Sequence, residues 1–276
     1  MIRLIKNEDV ELINKIDNSL SVEYLNTLIN NMSEYIYVST EKSNIDGYMV
    51  CFNDGNNIII KNLYYANEEI LSNLVRHLNF NSNKDVIIES NEVYKNQLIQ
   101  LGFVDEGSQL RKIFKQLSPN NISIIEYYEQ NDEFKRQLLN QINEPLWGGA
   151  KYLYNKILNN ELMNGKIYIL FDNDRNHIIS FLSLSDFDDI INTDLKPWIG
   201  CVYTFRPYRG NRFSEKLIMH TLKEAKKDNI DYVYLSSDHK GLYEKYGFEF
   251  VDTMTRTEGY TTQVFKYDTR KLDNHR

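Results

Sequence analysis

The sequence predicts an α/β protein, of the α+β kind, made of two similar halves. Each half would be a mixed central sheet flanked by helices. Three observations carry this. Short apolar runs alternate with segments of helical period. A polar, turn-rich stretch, "KQLSPNNIS" (residues 115–123), divides the chain near its middle. On either side of it, the same order of elements recurs. The predicted boundaries are therefore 1–117 and 118–276.

The first half opens "IRLIKNEDVELINKI", a strand-like piece followed by a helical period, and the second opens "SIIEYYEQNDEFKRQLLNQI" in the same order. The endings also match: "DVIIESNEVYKNQLIQLGFVDEG" (85–107) against "DYVYLSSDHKGLYEKYGFEFVDT" (231–253). Each reads as strand, polar turn, short helix, glycine stop and strand. Gly102 and Gly247 fall where a helix end favours a residue that tolerates positive φ. Inside the second half, helices are expected over 133–142 and 151–162, separated by the loop "NEPLWGGA". Strands "KIYILF" and "HIISFLSL" follow, then the acid-rich loop "SDFDDIINTDLK" and strand "WIGCVYTF". A long helix comes next, with Phe213, Leu217, Ile218, Leu222 and Ala225 at helical spacing and Lys223, Lys226 and Lys227 near its C-terminus, where the helix dipole favours cations. Strand "YVYLSS", the short helix and a terminal strand "TTQVFKYDT" complete the half.

Composition narrows the function. With 276 residues, 42% of them hydrophobic, the chain can bury two cores of ordinary size. A mean hydropathy of −0.52 and the lack of a long apolar run argue against a membrane-spanning helix. The opening "MIRLIKNEDVELI" carries acids that the apolar region of a signal peptide would not, so a cytoplasmic protein is expected. Cys51 and Cys201 lie far apart in apolar runs, which suits reduced core thiols, and no metal-ligand spacing accompanies them. A net charge of −7 disfavours nucleic acid as a partner, because phosphate binding needs a basic face. Whether the chain is a monomer or a homodimer stays open.

Against this acidic background, "TFRPYRGNRFSEKLI" concentrates Arg206, Arg209 and Arg212 around Gly210 at the start of the long helix. The first N–H groups of a helix lack intrahelical acceptors, and the dipole is positive there, so a strand–turn–helix of this kind is an anion site. Arginine adds fork-shaped donors suited to phosphate, and Ser214 a hydroxyl. A solvated basic cap on a surface helix is the plainer reading. Neither a dinucleotide fingerprint nor a P-loop is present.

The combination "WIGCVYTFRPYRGNRFSEKLI … YVYLSSDHKGLYEKYGFEF" resembles the core of the GCN5-related N-acetyltransferase (GNAT) superfamily, clearly over the last half of the chain and in outline over the first. The resemblance implies acetyl-CoA, with its pyrophosphate on the amides of Arg209, Gly210, Asn211, Arg212, Phe213, Ser214 and Glu215. Its pantetheine arm would run along Val202, Tyr203 and Thr204, where two parallel strands splay apart. Arg212 and Ser214 stand where the family prefers glycine and glycine or alanine. Arg212 is expected in the first helical turn, with its side chain towards the phosphates. Tyr243 matches the family's tyrosine that protonates the CoA sulfur. A phenol of pKa about 10 can pass its proton to a thiolate of about 8.5 only in an assisted step. Core packing is its bland alternative.

The implied activity is transfer of acetyl from acetyl-CoA to the primary amine of a small molecule or peptide, by direct attack. No metal is required. The base is not named by the sequence, since the strand 198–205 carries no carboxylate. Glu144, Asp186, Asp188, Asp189 and Asp194 can each attract a cationic acceptor or relay its proton, although a solvated acidic loop is the ordinary role. Trp147 and Trp198 can form an aromatic wall, or simply pack, and His239 can titrate near the site. The first half reads "LYYANEEILSNL" where the arginine turn belongs, and Leu98 where Tyr243 would fall, so it is expected to be a degenerate copy without the cofactor. Two readings compete with an enzyme: an acyl-CoA-binding sensor or scaffold without turnover, and an interaction module with no ligand.

Overall fold

A computed structural model describes residues 2–274 apart from 30, 32, 42, 43, 163 and 164. The chain divides into two compact units, Met1–Leu117 and Ser118–Arg276. In the first unit, β1 (Ile2–Leu4), α1 (Asn7–Ile16) and α2 (Val22–Thr27) precede an antiparallel run of β2 (Glu34–Glu41), β3 (Asn44–Asn53) and β4 (Asn57–Tyr65). Then come α3 (Glu68–Asn81), β5 (Asp85–Glu89), α4 (Lys95–Gln100), β6 (Val104–Asp105) and β7 (Gln109–Lys112). The strands form one sheet in the order β1-β2-β3-β4-β5-β7-β6, in which β4 and β5 are parallel neighbours.

Alternation along its strands gives this sheet two cores. Tyr35, Tyr37, Met49 and Cys51 pack with Leu71, Leu74 and Leu78 of α3, whereas Ile36, Val38, Tyr48 and Val50 pack with Val10 and Ile13 of α1 and Leu25 of α2. The two sets occupy opposite faces. Leu98 is fully buried in the first of them.

The second unit repeats the order: β8 (Ile122–Glu126), α5 (Asp132–Ile142), α6 (Gly148–Leu158), β9 (Lys166–Asp172), β10 (His177–Ser185), β11 (Trp198–Thr204), α7 (Phe213–Lys227), β12 (Tyr232–Ser237), β13 (Glu249–Thr255) and β14 (Thr261–Asp268). Its sheet runs β8-β9-β10-β11-β12-β14-β13, with β11 and β12 parallel. The expected pair of similar α/β halves is therefore present as two sheets of identical strand order. The helix expected over 151–162 is displaced. It starts at Gly148, directly after Trp147, and ends before Asn160, whose φ of +54° breaks it. The short helix before Gly247 is only a 3₁₀ turn, Glu244–Tyr246.

β10 is buried at every position, which requires cover on both faces. Helix α7 packs on β9, β10 and β11, while α5 meets β10 and α6 meets β11. The apolar stripe of α7 supplies Leu217, Ile218, Leu222 and Ala225, all fully buried. Among the described residues, no helix is long and apolar enough to cross a membrane, and no group of side chains could hold a metal ion.

The segment leading into α7 is tied to the sheet through one buried carboxylate. Asp172, at the end of β9, accepts from the Tyr208 hydroxyl at 3.0 Å, from Arg175 at 3.0 Å, and from the N–H groups of Asp174 and Arg175, each at 3.1 Å. Both Asp172 and Tyr208 are inaccessible to solvent. Tyr208→Phe removes one donor from a buried charge, so urea denaturation is expected to show a loss of about 1.5–3 kcal/mol. Unchanged stability would mean that the remaining donors suffice to hold the turn.

Candidate active site

β11 and β12 begin as neighbours and then part. Their parallel register contains a single pair, Trp198 with Tyr234, supported by the Tyr234 N–H donating to Pro197 O at 2.9 Å. The cause lies within β11. Its pairing with β10 shifts between Tyr203–Phe181 and Gly200–Ser183, and Cys201 sits there with φ of +51°. This is a β-bulge, which bends and twists its strand. The other edge of β12 remains fully paired to β14 through Ser237–Gln263. Beyond Trp198, β11 has no sheet partner on its β12 side among the described residues. In the first unit, β4 and β5 stay paired over four positions, Asn57–Asp85 to Ile60–Ile88.

A cavity of about 660 Å³ occupies the gap. Its lips are Ile199–Val202 on β11 and Leu235–Ser237 on β12. Trp147, Tyr152, His239, Tyr243, Arg256 and Tyr260 also line it. A second cavity of about 420 Å³ meets the same bulge and shares Tyr152, Asp188, Gly200 and Cys201 with the first. Burial pushes the Cys201 thiol up to about 12, helped by the charge of Asp188, so the sulfur at the bulge stays protonated.

At one end of the gap the chain forms the arginine turn. Arg206–Tyr208 is a 3₁₀ turn, Gly210 takes φ of +84°, and α7 begins at Phe213. The first helical bond runs from the Lys216 N–H to Arg212 O at 3.1 Å. The N–H groups of Phe213, Ser214 and Glu215 precede it and have no helical carbonyl to bond. Arg212 departs from the expected position in the first helical turn. It is the N-cap, left-handed at φ 57°, and its side chain does not cap the helix. A Cβ in that conformation costs about 1–2 kcal/mol. The exposed guanidinium instead holds Glu215, with Nη2 to Oε1 at 2.7 Å and a second bond from Nε. It thereby neutralises the acid nearest the helix N-terminus. The matching helix of the first unit, α3, has a capped and acidic start. The Asn67 side chain accepts the Ile70 N–H at 3.0 Å, and Glu68 and Glu69 fill its first turn.

Arg209 lies over the Tyr203 ring, 5.3 Å from its centroid, and its Nε donates to Thr204 O at 2.9 Å. Tyr203 in turn stacks on Trp147 at 5.5 Å, with the rings 18° apart. Gly149 permits this, because a Cβ there would lie 2.4 Å from the indole. Val202, Tyr203 and Thr204 thus line the open edge of β11 between the bulge and the turn. Ser214 and Tyr246 share a hydroxyl contact at 3.4 Å.

Tyr243 is 7% exposed and faces the cavity, against Phe265, Phe248 and Tyr246. Burial pushes its phenol up to about 12, and a hydrogen bond with Ser237 opposes that. Asp188 is sunk in the wall and keeps a partial opening to the cavity. Its Oδ2 accepts from the Ser236 hydroxyl at 2.8 Å and its Oδ1 from the Asp189 N–H at 2.9 Å. Burial pushes this carboxyl up to about 6. The two hydrogen bonds oppose the rise, and the neighbouring Asp189 charge adds to it.

The candidates therefore separate. Trp147, Asp188, Asp189, His239 and Tyr243 come together at the gap. Glu144 is directed at the buried His177, 3.3 Å from its Nε2, and Asp186 pairs with Lys196 at 3.8 Å on the surface. Neither lines the two cavities at the bulge. Trp198 is a core residue, 1% exposed, with its Nε1 donating to Leu195 O at 2.6 Å. The sequence reading assigned no role to Tyr152, Ser236, Ser237 or Arg256. The polar end of "YVYLSS" is a signal for the two serines, because a strand that ends in hydroxyls beside a turn presents them to a cleft. Arg256, in "TRTEGY", carries no such signal.

The family model of the acetyltransferase (GNAT) domain matches residues 149–251. Among solved structures, the chain is similar to an acetyltransferase of the GNAT family from Staphylococcus aureus Mu50. That similarity is 18% identity over 54% of this chain and 99% of the other, with a TM-score of 0.37. It is also similar to the GNAT family N-acetyltransferase YhbS of Escherichia coli in complex with CoA (16% identity, 58% of this chain and 89% of that one, TM-score 0.44). A third is a Bacillus anthracis protein assigned as a streptothricin acetyltransferase, in complex with acetyl coenzyme A (21% identity, 40% and 66%, TM-score 0.32). No curated protein matches the chain. The residues that match the acetyltransferase (GNAT) domain model run from the start of α6 through the bulged strand, the arginine turn and Tyr243.

Proposed function

We propose that the second unit transfers an acetyl group from acetyl-CoA to a primary amine of a small molecule or peptide. The observation that carries this reading is the parting of β11 from β12 after one residue pair, with an uncapped helix N-terminus at one end of the gap and Tyr243 in its wall. An extended pantetheine arm carries amide groups that can bond the unpaired edge at Val202–Thr204. The pyrophosphate would then meet the amides of residues 210–215, where backbone donors and dipole favour an anion. The thioester would lie near the Cys201 bulge, between the acceptor cavity and Tyr243.

In this reading the protein's first contribution is alignment, worth about 7–11 kcal/mol in favourable cases. Tyr243, held neutral by burial, supplies the proton that the departing sulfur needs. The first unit keeps its parallel strands zipped and its helix capped, so CoA is expected in the second unit alone.

Two outcomes test this. Tyr243→Phe keeps the ring and removes the hydroxyl. Acetyl-CoA affinity by calorimetry should be unchanged, while turnover in a CoA-release assay falls by roughly 10²–10⁴-fold. A sensor would have no turnover to lose, and wild-type rates in the variant would remove Tyr243 from the mechanism. Arg212→Gly should relieve the left-handed strain and raise stability by up to about 1 kcal/mol. It should also weaken acetyl-CoA binding by about two- to fivefold, because Glu215 then stands unneutralised at the helix start, an effect of about 0.3–1 kcal/mol. The double variant Arg212→Gly/Glu215→Gln should recover that affinity. If it stays weak, Arg212 contacts the phosphates directly.

A further inference from the structure

The loop between β10 and β11 is pinned across the mouth of the gap. The Thr257 N–H donates to Asp189 O at 2.7 Å, the Ile191 N–H donates to Thr255 O at 3.0 Å, and Arg256 Nη1 donates to Asp189 Oδ2 at 3.2 Å. Asp189 thus gives Oδ2 to Arg256, which holds its charge beside a fixed cation, while its Oδ1 is buried without a hydrogen-bond partner. Asp188, one residue earlier, reaches the gap and is tied across it to Ser236 of β12. It lies in the walls of both cavities, beside Gly200 and Cys201 of the bulge.

We propose that Asp188 is the general base that accepts the proton of the incoming ammonium at the β11–β12 gap, an assignment that rests on the acetyl-transfer reading above. The other charged groups around it have partners of their own or are neutral, and Glu258, which also lines the cavity, hydrogen-bonds the Tyr260 hydroxyl. Lys156 of α6 pairs with Glu161 at 2.8 Å, and Asp238 accepts from the Thr262 hydroxyl at 2.8 Å. Burial holds the Tyr152 phenol of α6 and the Cys201 thiol of β11 protonated. His239 lies further along the β12 lip and donates its backbone N–H to Ser237. Of the acids that line the gap, Asp188 is the one that also lines the second cavity, beside the Cys201 bulge where the thioester would lie.

The protons balance as follows. Asp188 takes one proton from the ammonium, and the freed nitrogen pair forms the C–N bond to the acyl carbon. The C–S bond breaks with its electron pair on sulfur, and Tyr243 gives sulfur a proton. The second nitrogen proton restores the phenol as the amide forms, and Asp188 releases its own proton to solvent. A carboxyl raised towards neutrality by burial suits this exchange better than an ordinary exposed aspartate. Because the base acts in its ionised form, its contribution to rate is present above the Asp188 pKa and lost as pH falls through it.

The experiment uses the full chain, acetyl-CoA and an amine that the wild type accepts, with kcat/KM measured from pH 5 to 9.5. The wild type should show a limb rising through about pH 6. Asp188→Asn should lose that limb and fall roughly 10²–10⁴-fold at pH 7, with acetyl-CoA affinity unchanged, and should approach the wild type at high pH, where the amine is neutral unaided. Ser236→Ala removes a hydrogen bond that favours the ionised carboxylate, so it should move the limb to higher pH and keep the plateau rate. A limb that persists in Asp188→Asn, or one that does not move in Ser236→Ala, overturns the assignment while leaving acetyl transfer intact. A wild type that binds acetyl-CoA yet turns over no amine overturns the acetyl-transfer reading itself.

Discussion

The single residue pair that joins β11 to β12 is the constraint on which the site depends. Parallel strands normally continue side by side, because every unpaired buried amide or carbonyl costs free energy. Here the bulge at Cys201 turns β11 away after Trp198, while β14 holds β12 in place on its far edge. The result is an unpaired backbone edge at the bottom of a cavity, a surface that invites an extended ligand rich in amides. The core beneath keeps the strands from closing again. Trp198 is locked among Ile190, Val264 and Tyr234, and Tyr203 is stacked between neighbouring rings.

The first unit is a control within the same molecule. Its sheet has the same strand order, yet β4 and β5 remain paired to Ile60–Ile88. Its helix start is capped by Asn67 and carries two glutamates, so backbone donors and dipole are both occupied. One topology has thus been tuned in two ways. In the first unit the gap is closed and the helix start is capped. In the second unit the gap is open and no side chain caps the helix start. The bare start is held against strain, since Arg212 sits in a left-handed conformation that glycine would adopt freely. The Tyr208–Asp172 bond anchors the segment just before it.

The sequence by itself determined the two halves, their element order and the position of the arginine turn. Helical period, strand alternation and glycine stops are local signals: Gly102 and Gly247 do take positive φ, and Leu217, Ile218, Leu222 and Ala225 of the α7 stripe are buried as their spacing predicts, while Phe213 at the helix start is half-buried. The motif around Tyr243 was legible for the same reason, as a contiguous run of residues whose order alone carries the resemblance. Tertiary structure decided the rest. An aspartate within "SDFDDIINTDLK" reads as one of several solvated acids until the loop is seen pinned to β13, which sinks Asp188 into the wall and leaves Asp186 on the surface. Trp147 and Trp198 are equivalent in composition, but one stacks at the gap and the other fills the core. Glu144 was drawn off by a buried histidine far along the chain. Burial and ion pairing depend on what long-range packing brings near each side chain, and no local pattern encodes that.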